Sequence, residues 1–283
     1  MDTLVFLAVL AAALLHATWN ALIKSSADRL VSISLHDAVM WGISAALVIF
    51  FAPMPKPEAF PYIVSSASIL IFYRIFLLKA YRHGDFSRSY PIARGTAPLL
   101  VGVVGVAIGD DVLSMPGYYS ILLISLGIFS LVLSKKHASE RKLDRGLLYA
   151  IATGCIIATY SVIDSRGVRL AETSIGYYAY LVCMSACWMP FYTLMTRRKD
   201  FRTAVRLHGH RALISGSCSV VAYLCVVWAF TQSSAVQVVA LRETSVIFGA
   251  IIGAYVLKEG LGPRRIMSAA LVAIGVILLQ LYG

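Results

Sequence analysis

Apolar residues run along this chain in long unbroken stretches, and the short segments between them collect nearly all of the charge. A helix that crosses the hydrocarbon of a bilayer needs about 20 mostly apolar residues. Stretches near that length recur ten times, at residues 4–23, 31–51, 60–80, 86–108, 118–133, 146–163, 175–195, 212–230, 235–257 and 266–281. A membrane barrel would instead show short alternating segments. The pattern predicts an all-α integral membrane protein with ten transmembrane helices.

Composition sharpens that reading. Of the 283 residues, 59% are hydrophobic and 14% charged, with a mean hydropathy of +0.79, against roughly 45–50% and about 25% in soluble domains. A soluble fold of this length has too little interior to hide so much apolar surface, which excludes a soluble domain. The net charge of +11 does not point to nucleic acid, because the basic residues lie between apolar segments, where they orient a chain in the bilayer. Met1-Asp2-Thr3 lacks the basic start of a secretory signal and no small-residue cleavage site follows, so the first apolar run is expected to stay as a membrane helix. Cys155, Cys183, Cys187, Cys218 and Cys225 fall in apolar segments with no metal-ligand spacing, and are expected as buried packing residues. Neither a metal nor a cofactor is implied.

The chain also matches itself. Residues 94–127 align with residues 242–275 at one constant offset, placing Arg94 on Arg242, Thr96 on Thr244, Asp111 on Glu259 and Gly127 on Gly275. Ala17-Thr18-Trp19-Asn20 similarly falls on Ala158-Thr159-Tyr160-Ser161. Two five-helix repeats follow, residues 1–140 and 141–283, together forming one membrane domain. Five is odd, so the second repeat enters the membrane from the opposite side, and such inverted repeats characterise secondary transporters. The loops after helices one, three, five, seven and nine, counted with Lys79 and Arg88 at the adjoining helix ends, hold nineteen Lys and Arg residues, among them Lys135, Lys136, Arg141, Arg197, Arg198 and Lys199. The opposite set has only Lys56, Arg166 and Arg169. The positive-inside rule puts the first set in the cytoplasm and both termini outside, in a cell (cytoplasmic) membrane.

With these features the sequence resembles the drug/metabolite transporter superfamily in its ten-helix EamA-like branch. The resemblance is carried by His16-Ala17-Thr18-Trp19-Asn20-Ala21-Leu22-Ile23-Lys24, by Tyr90-Pro91-Ile92-Ala93-Arg94-Gly95-Thr96-Ala97-Pro98, and by Leu257-Lys258-Glu259-Gly260-Leu261 with the following apolar run and Gly275. It implies a transporter of small metabolites or drugs, with a central cavity lined by both halves. Asp110-Asp111 stands where the first repeat of such proteins more often has Glu.

Ionisable groups near the bilayer centre cost from about 2.5 kcal/mol upward and usually face a cavity or a partner. Outside the loops remain Arg74, Arg94 and Arg242, with Glu243 as the comparable acid. A surplus of about two positive charges would suit an organic anion, whose oxygens the guanidinium fork meets bidentately. Helical rise separates the Arg94 and Arg242 backbones by about 10 Å along the membrane normal. Pro91 and Pro98 make helix four the candidate for a discontinuous, substrate-facing helix. The alternative is structural arginines paired with Glu243 and backbone carbonyls. His16, Trp19 and Asn20 share one face of helix one, and Tyr160 and Asp164 one face of helix six. These polar faces suit a cavity or interhelical bonding. His36-Asp37 reads as the solvated edge of helix two.

The candidate substrate-binding residues are therefore Arg94, Arg242, Arg74, Trp19, Asn20, Tyr90 and Tyr160, with Glu243 and His16 as coupling or counter-ion groups. The expected function is secondary active or exchange transport of a phosphonate, organophosphate or carboxylate by alternating access. The alternative is an exporter of amino acids or other zwitterions, coupled to protons through Glu243. No P-loop, HExxH, GxSxG or paired intramembrane carboxylates support an ATPase or an enzyme. The expected partners are the small-molecule substrate, a coupling proton or counter-substrate, and membrane lipid.

Overall fold

The computed structural model describes residues 1–26, 28–83, 86–108, 113–131, 145–256 and 262–282, and every regular element among them is helical. In chain order they are α1 (Thr3–Lys24), α2 (Arg29–Phe50), a 3-10 turn at Pro57–Ala59, α3 (Phe60–His83), α4 (Phe86–Ile108), α5 (Met115–Ser130), α6 (Arg145–Ala171), α7 (Ser174–Ser185), α8 (Trp188–Thr196), α9 (Arg198–Gln232), α10 (Ala235–Arg242), α11 (Ser245–Tyr255) and α12 (Pro263–Tyr282). Two of the predicted stretches are broken: the seventh into α7 and α8, the ninth into α10 and α11. Pro190 accounts for the first break, since its ring displaces the carbonyl four residues back, that of Ala186 at the joint. Asp2, Asp28, Ser114, Thr173 and Ser234 begin α1, α2, α5, α7 and α10 by accepting a backbone N–H on their side chains, which satisfies donors that a helix start leaves unpaired.

Among the described residues, seven segments are long and apolar enough to cross a membrane, with α7–α8 and α10–α11 counting as one each. Three shorter apolar stretches, Ile92–Ala107, Met115–Ser130 and Ile266–Tyr282, accompany them. At 35 residues α9 is about 52 Å long against roughly 30 Å of hydrocarbon. Its first turns, with Arg198, Lys199, Arg202 and Arg206, therefore project beyond the apolar layer. The outward surface carries Leu4, Phe50, Val103 and Ile277, each more than half exposed, while serines and acids are buried inside. That distribution suits lipid as the surrounding solvent. The protein is a multi-pass membrane protein. The five cysteines are free thiols that face outward more than expected, with Cys155 exposed and the others half-buried; small apolar thiols are tolerated against lipid.

Packing partners are specific. α3 lies on α6 and α1 on α9; α4 lies on α6, and α1 on α10 and α11; α2 packs on α7, α8 and α9, and α7 also on α3. α5 and α12 pack on each other, and two glycines set how closely. A Cβ at Gly127 would fall 2.9 Å from Leu271 Cβ and 3.2 Å from both the Ser268 carbonyl and Val272. One at Gly275 would fall 2.6 Å from Ile124 Cγ1 and 3.0 Å from the Ser120 carbonyl. Small residues of this kind let helices associate in lipid through van der Waals contact. Gly275→Val is expected to destabilise the protein by about 1–3 kcal/mol through overpacking. Thermal unfolding in detergent checks this against Gly42→Val, where nothing lies within 4 Å. Equal melting temperatures for the two variants would refute the close crossing.

Candidate functional site

The second broken segment builds the site. Around Glu243 and Thr244 the backbone changes to shorter bonds, with Glu243 N–H donating to Ala240, Thr244 N–H to Leu241, Val246 N–H to Glu243 and Ile247 N–H to Thr244. The Thr244 hydroxyl takes the Leu241 carbonyl as well, at 2.8 Å. Such a joint leaves polar backbone at membrane depth, which is tolerated where protein groups satisfy it. Arg94, reaching over from α4, is that group. Its Nε donates to Glu243 Oε2 at 3.0 Å, and its Nη2 to the Arg242 carbonyl at 3.3 Å and to Ser245 Oγ at 3.2 Å. Both partners of the pair are buried, Arg94 at 5% exposure and Glu243 at 1%. The discontinuity expected in helix four is thus corrected: α4 runs unbroken through Pro91 and Pro98. A proline is tolerated inside a membrane helix where neighbouring groups compensate for the missing bond, and the helix is continuous here.

Beside this joint lies an interior cavity of about 80 Å³. Trp19 from α1, Tyr73 from α3, Tyr160 from α6 and Tyr223 from α9 give it aromatic walls, and His16, Arg74 and Arg242 also line it. Tyr73 and Tyr160 meet edge to face at 6.1 Å; His16 and Trp19 do so at 4.9 Å. Arg242 is 7% exposed, and among the described residues its side chain has no hydrogen bond or ion pair, with Nη1 buried and unpartnered. Arg94 and Asn20 are not part of the lining: Arg94 is held by the joint, and Asn20 Nδ2 donates to the His16 carbonyl of its own helix at 2.8 Å. Tyr90 lies in α4, but its side chain falls outside the described residues, as do Asp110, Asp111, Lys135, Lys136, Arg141, Lys258 and Glu259.

Arg74 donates through Nη2 to Asp37 Oδ1 at 2.7 Å. This corrects the reading of His36-Asp37 as a solvated edge, since both are 1% exposed. The polar face of α2 is covered by α9, where Ser215 Oγ lies 3.2 Å from His36 Nδ1. The charge count changes with it. Asp37, Asp164 and Glu243 are all buried, so among the described residues three interior acids stand against three interior arginines and the expected surplus of two is lost. What distinguishes Arg242 is its position, because among the described residues Arg74 and Arg94 each have a carboxylate and Arg242 has none. Sequence reasoning missed Tyr73, Asp37 and Tyr223. Asp37 sat seven residues inside an apolar stretch, a placement that itself signalled burial.

No cluster of three His, Cys, Asp or Glu side chains suited to a metal occurs among the described residues. Residues 144–281 match the EamA-like transporter family. No curated protein matches the sequence. One solved crystal structure, 14% identical, aligns over 99% of this chain and 97% of its own with a TM-score of 0.73, so the fold is shared along the whole length. Residues 144–281, the second half of the chain, are thus similar to the EamA-like transporter family of the drug/metabolite transporter superfamily, whose members are membrane transporters.

Proposed function

We propose that the protein is a secondary transporter of a small organic anion, which binds with its charged group on Arg242 and its organic part against Trp19, Tyr73, Tyr160 and Tyr223. The observation that carries this reading is Arg242, which lines the cavity and has no hydrogen bond or ion pair among the described residues. A buried charge without a partner is costly, and a carboxylate, phosphonate or organophosphate group supplies the missing partner bidentately. One free guanidinium suits one negative charge, fewer than the sequence count suggested. Arg94 and Glu243 hold the α10–α11 joint in this reading, Arg74 is held against Asp37, and His16 is a polar wall.

Alternating access follows from two inverted five-helix repeats, residues 1–140 and 141–283. Their support is the packing, which keeps its pattern when the halves are exchanged: α3 on α6 matches α1 on α9, and α4 on α6 matches α1 on α10 and α11. The α5–α12 crossing adds to it. Gly127 meets Ser268 and Val272 while Gly275 meets Ser120 and Ile124, and these pairs share the offset that relates Arg94 to Arg242. The basic loops support an orientation with both termini outside a cytoplasmic membrane.

The test is a thermal-stability screen of the purified protein and of Arg242→Gln against carboxylates, phosphonates, organophosphates, amino acids and organic cations. A ligand at 100 times its dissociation constant stabilises the folded state by about 2.7 kcal/mol. Monoanions are expected to raise the melting temperature of the wild type and not of Arg242→Gln. Stabilisation by amino acids or cations that persists in Arg242→Gln would overturn the reading in favour of the zwitterion exporter or a cation carrier.

A further inference from the structure

A third interior carboxylate takes no part in the anion site described above. Asp164, on α6, has no exposed surface. Its Oδ1 accepts from the Tyr177 hydroxyl at 2.9 Å and its Oδ2 from the Tyr223 hydroxyl. Among the described residues no cation lies within ion-pair distance of it, whereas Asp37 and Glu243 each hold an arginine. The groups that face it are few. α7 presents Tyr177, α9 presents Tyr223, and α10 presents Arg242, whose charge reaches it electrostatically. α3 presents the Ser66 hydroxyl to it and places Tyr62 behind Tyr177, and Arg94 of α4 is committed to Glu243.

Two features tie this carboxyl to the cavity. The Tyr223 side chain both lines the cavity and donates its hydroxyl to Asp164. Arg242 is a cation that acts on Asp164, lines the cavity and has no hydrogen bond or ion pair among the described residues. An intramembrane carboxylate held by hydroxyls alone is costly as an anion and inexpensive once neutral.

We infer that Asp164 is a proton-binding site coupled to the substrate site, taking up one proton when an anion occupies Arg242. The inference rests on the anionic-substrate reading. An anion on Arg242 cancels the positive charge that faces Asp164, and a proton from solution then joins the carboxylate. No other bond changes, and one negative and one positive charge enter together, so the loaded interior gains no net charge. Reciprocity requires that a proton on Asp164 strengthen anion binding by the same factor. Anion and proton are thereby carried in the same direction.

The experiment uses the full-length protein in detergent with benzoate and methanesulfonate, which keep a single charge near neutral pH. Proton uptake is measured on mixing in weakly buffered solution, and affinity is measured across a pH series. The wild type is expected to take up about one proton per bound anion, and its affinity to fall by as much as roughly tenfold per unit rise in pH. Asp164→Asn is expected to bind either anion with no proton uptake and no pH dependence. Tyr223→Phe keeps the cavity wall and removes one donor to the carboxyl, so the pH of greatest uptake is expected to move. That variant decides the matter if Asp164→Asn does not fold, and an unmoved profile would overturn the inference. Anion binding to the wild type without proton uptake, uptake that persists in Asp164→Asn, or affinity that follows sodium instead of pH would overturn it while leaving the anion site intact. Failure of both anions to bind the wild type would overturn the anionic-substrate reading and this inference with it.

Discussion

Glu243→Gln is expected to lower the unfolding free energy by about 3–5 kcal/mol, because it leaves the Arg94 guanidinium buried beside a neutral amide. The substitution preserves shape and an acceptor oxygen for Arg94 Nε, so the loss is one of charge. Arg94 also donates to the Arg242 carbonyl and to Ser245, and it cannot leave without stripping the α10–α11 joint of its donors. Arg94→Gln is expected to cost less, since Glu243 can take a proton and become neutral where arginine cannot lose one. The double variant Arg94→Gln/Glu243→Gln removes both charges and is expected to recover a large part of the loss. Denaturation of the two single variants and the double in detergent supplies the cycle that isolates the pair. If Glu243 were instead the coupling acid of a proton-driven exporter, Glu243→Gln would leave stability nearly unchanged and abolish the pH dependence of transport.

The bilayer makes much of this fold legible without coordinates. Each crossing must be a long apolar helix, and the stretches at residues 4–23, 60–80 and 146–163 all correspond to helices. The breaks were harder to place. Pro98 advertised a discontinuity, yet α4 runs through it as one helix, while the joint at Glu243 and Thr244 carries no proline or glycine and depends on donors supplied by Arg94, 149 residues away in sequence from Glu243. Position along a helix gave the candidate site residues, but pairing decides their chemistry. Arg74, Arg94 and Arg242 look alike in the sequence. Only the packing of α2 against α9, which buries Asp37, and of α4 against α10 separates the two paired arginines from the open one. The near-even spread of acids over α2, α6 and α10–α11 was overlooked as well, because the pair His36-Asp37 read as a solvated edge although it lies inside an apolar stretch.

That open arginine is where the transport reading is most exposed. Arg242→Gln is expected to reduce affinity for a monoanion by tens to thousands of times, the range set by about 2–5 kcal/mol for removing one partner of a buried, hydrogen-bonded charge pair. The fold should tolerate the change, because the Arg242 side chain has no described partner to lose and only its backbone carbonyl serves Arg94. Removing an unpaired buried charge can itself raise the melting temperature of the ligand-free protein. Arg242→Lys separates charge from geometry. It keeps the positive charge and loses the planar fork, so it is expected to bind the anion with an affinity between those of the wild type and Arg242→Gln. Uptake of a radiolabelled monoanion into proteoliposomes, measured beside the melting curve of each variant, reads both effects together. A variant that melts like the wild type and no longer transports places Arg242 on the substrate. One that loses stability and transport in parallel assigns the arginine to the fold, and the anion must then be held by another group in the cavity.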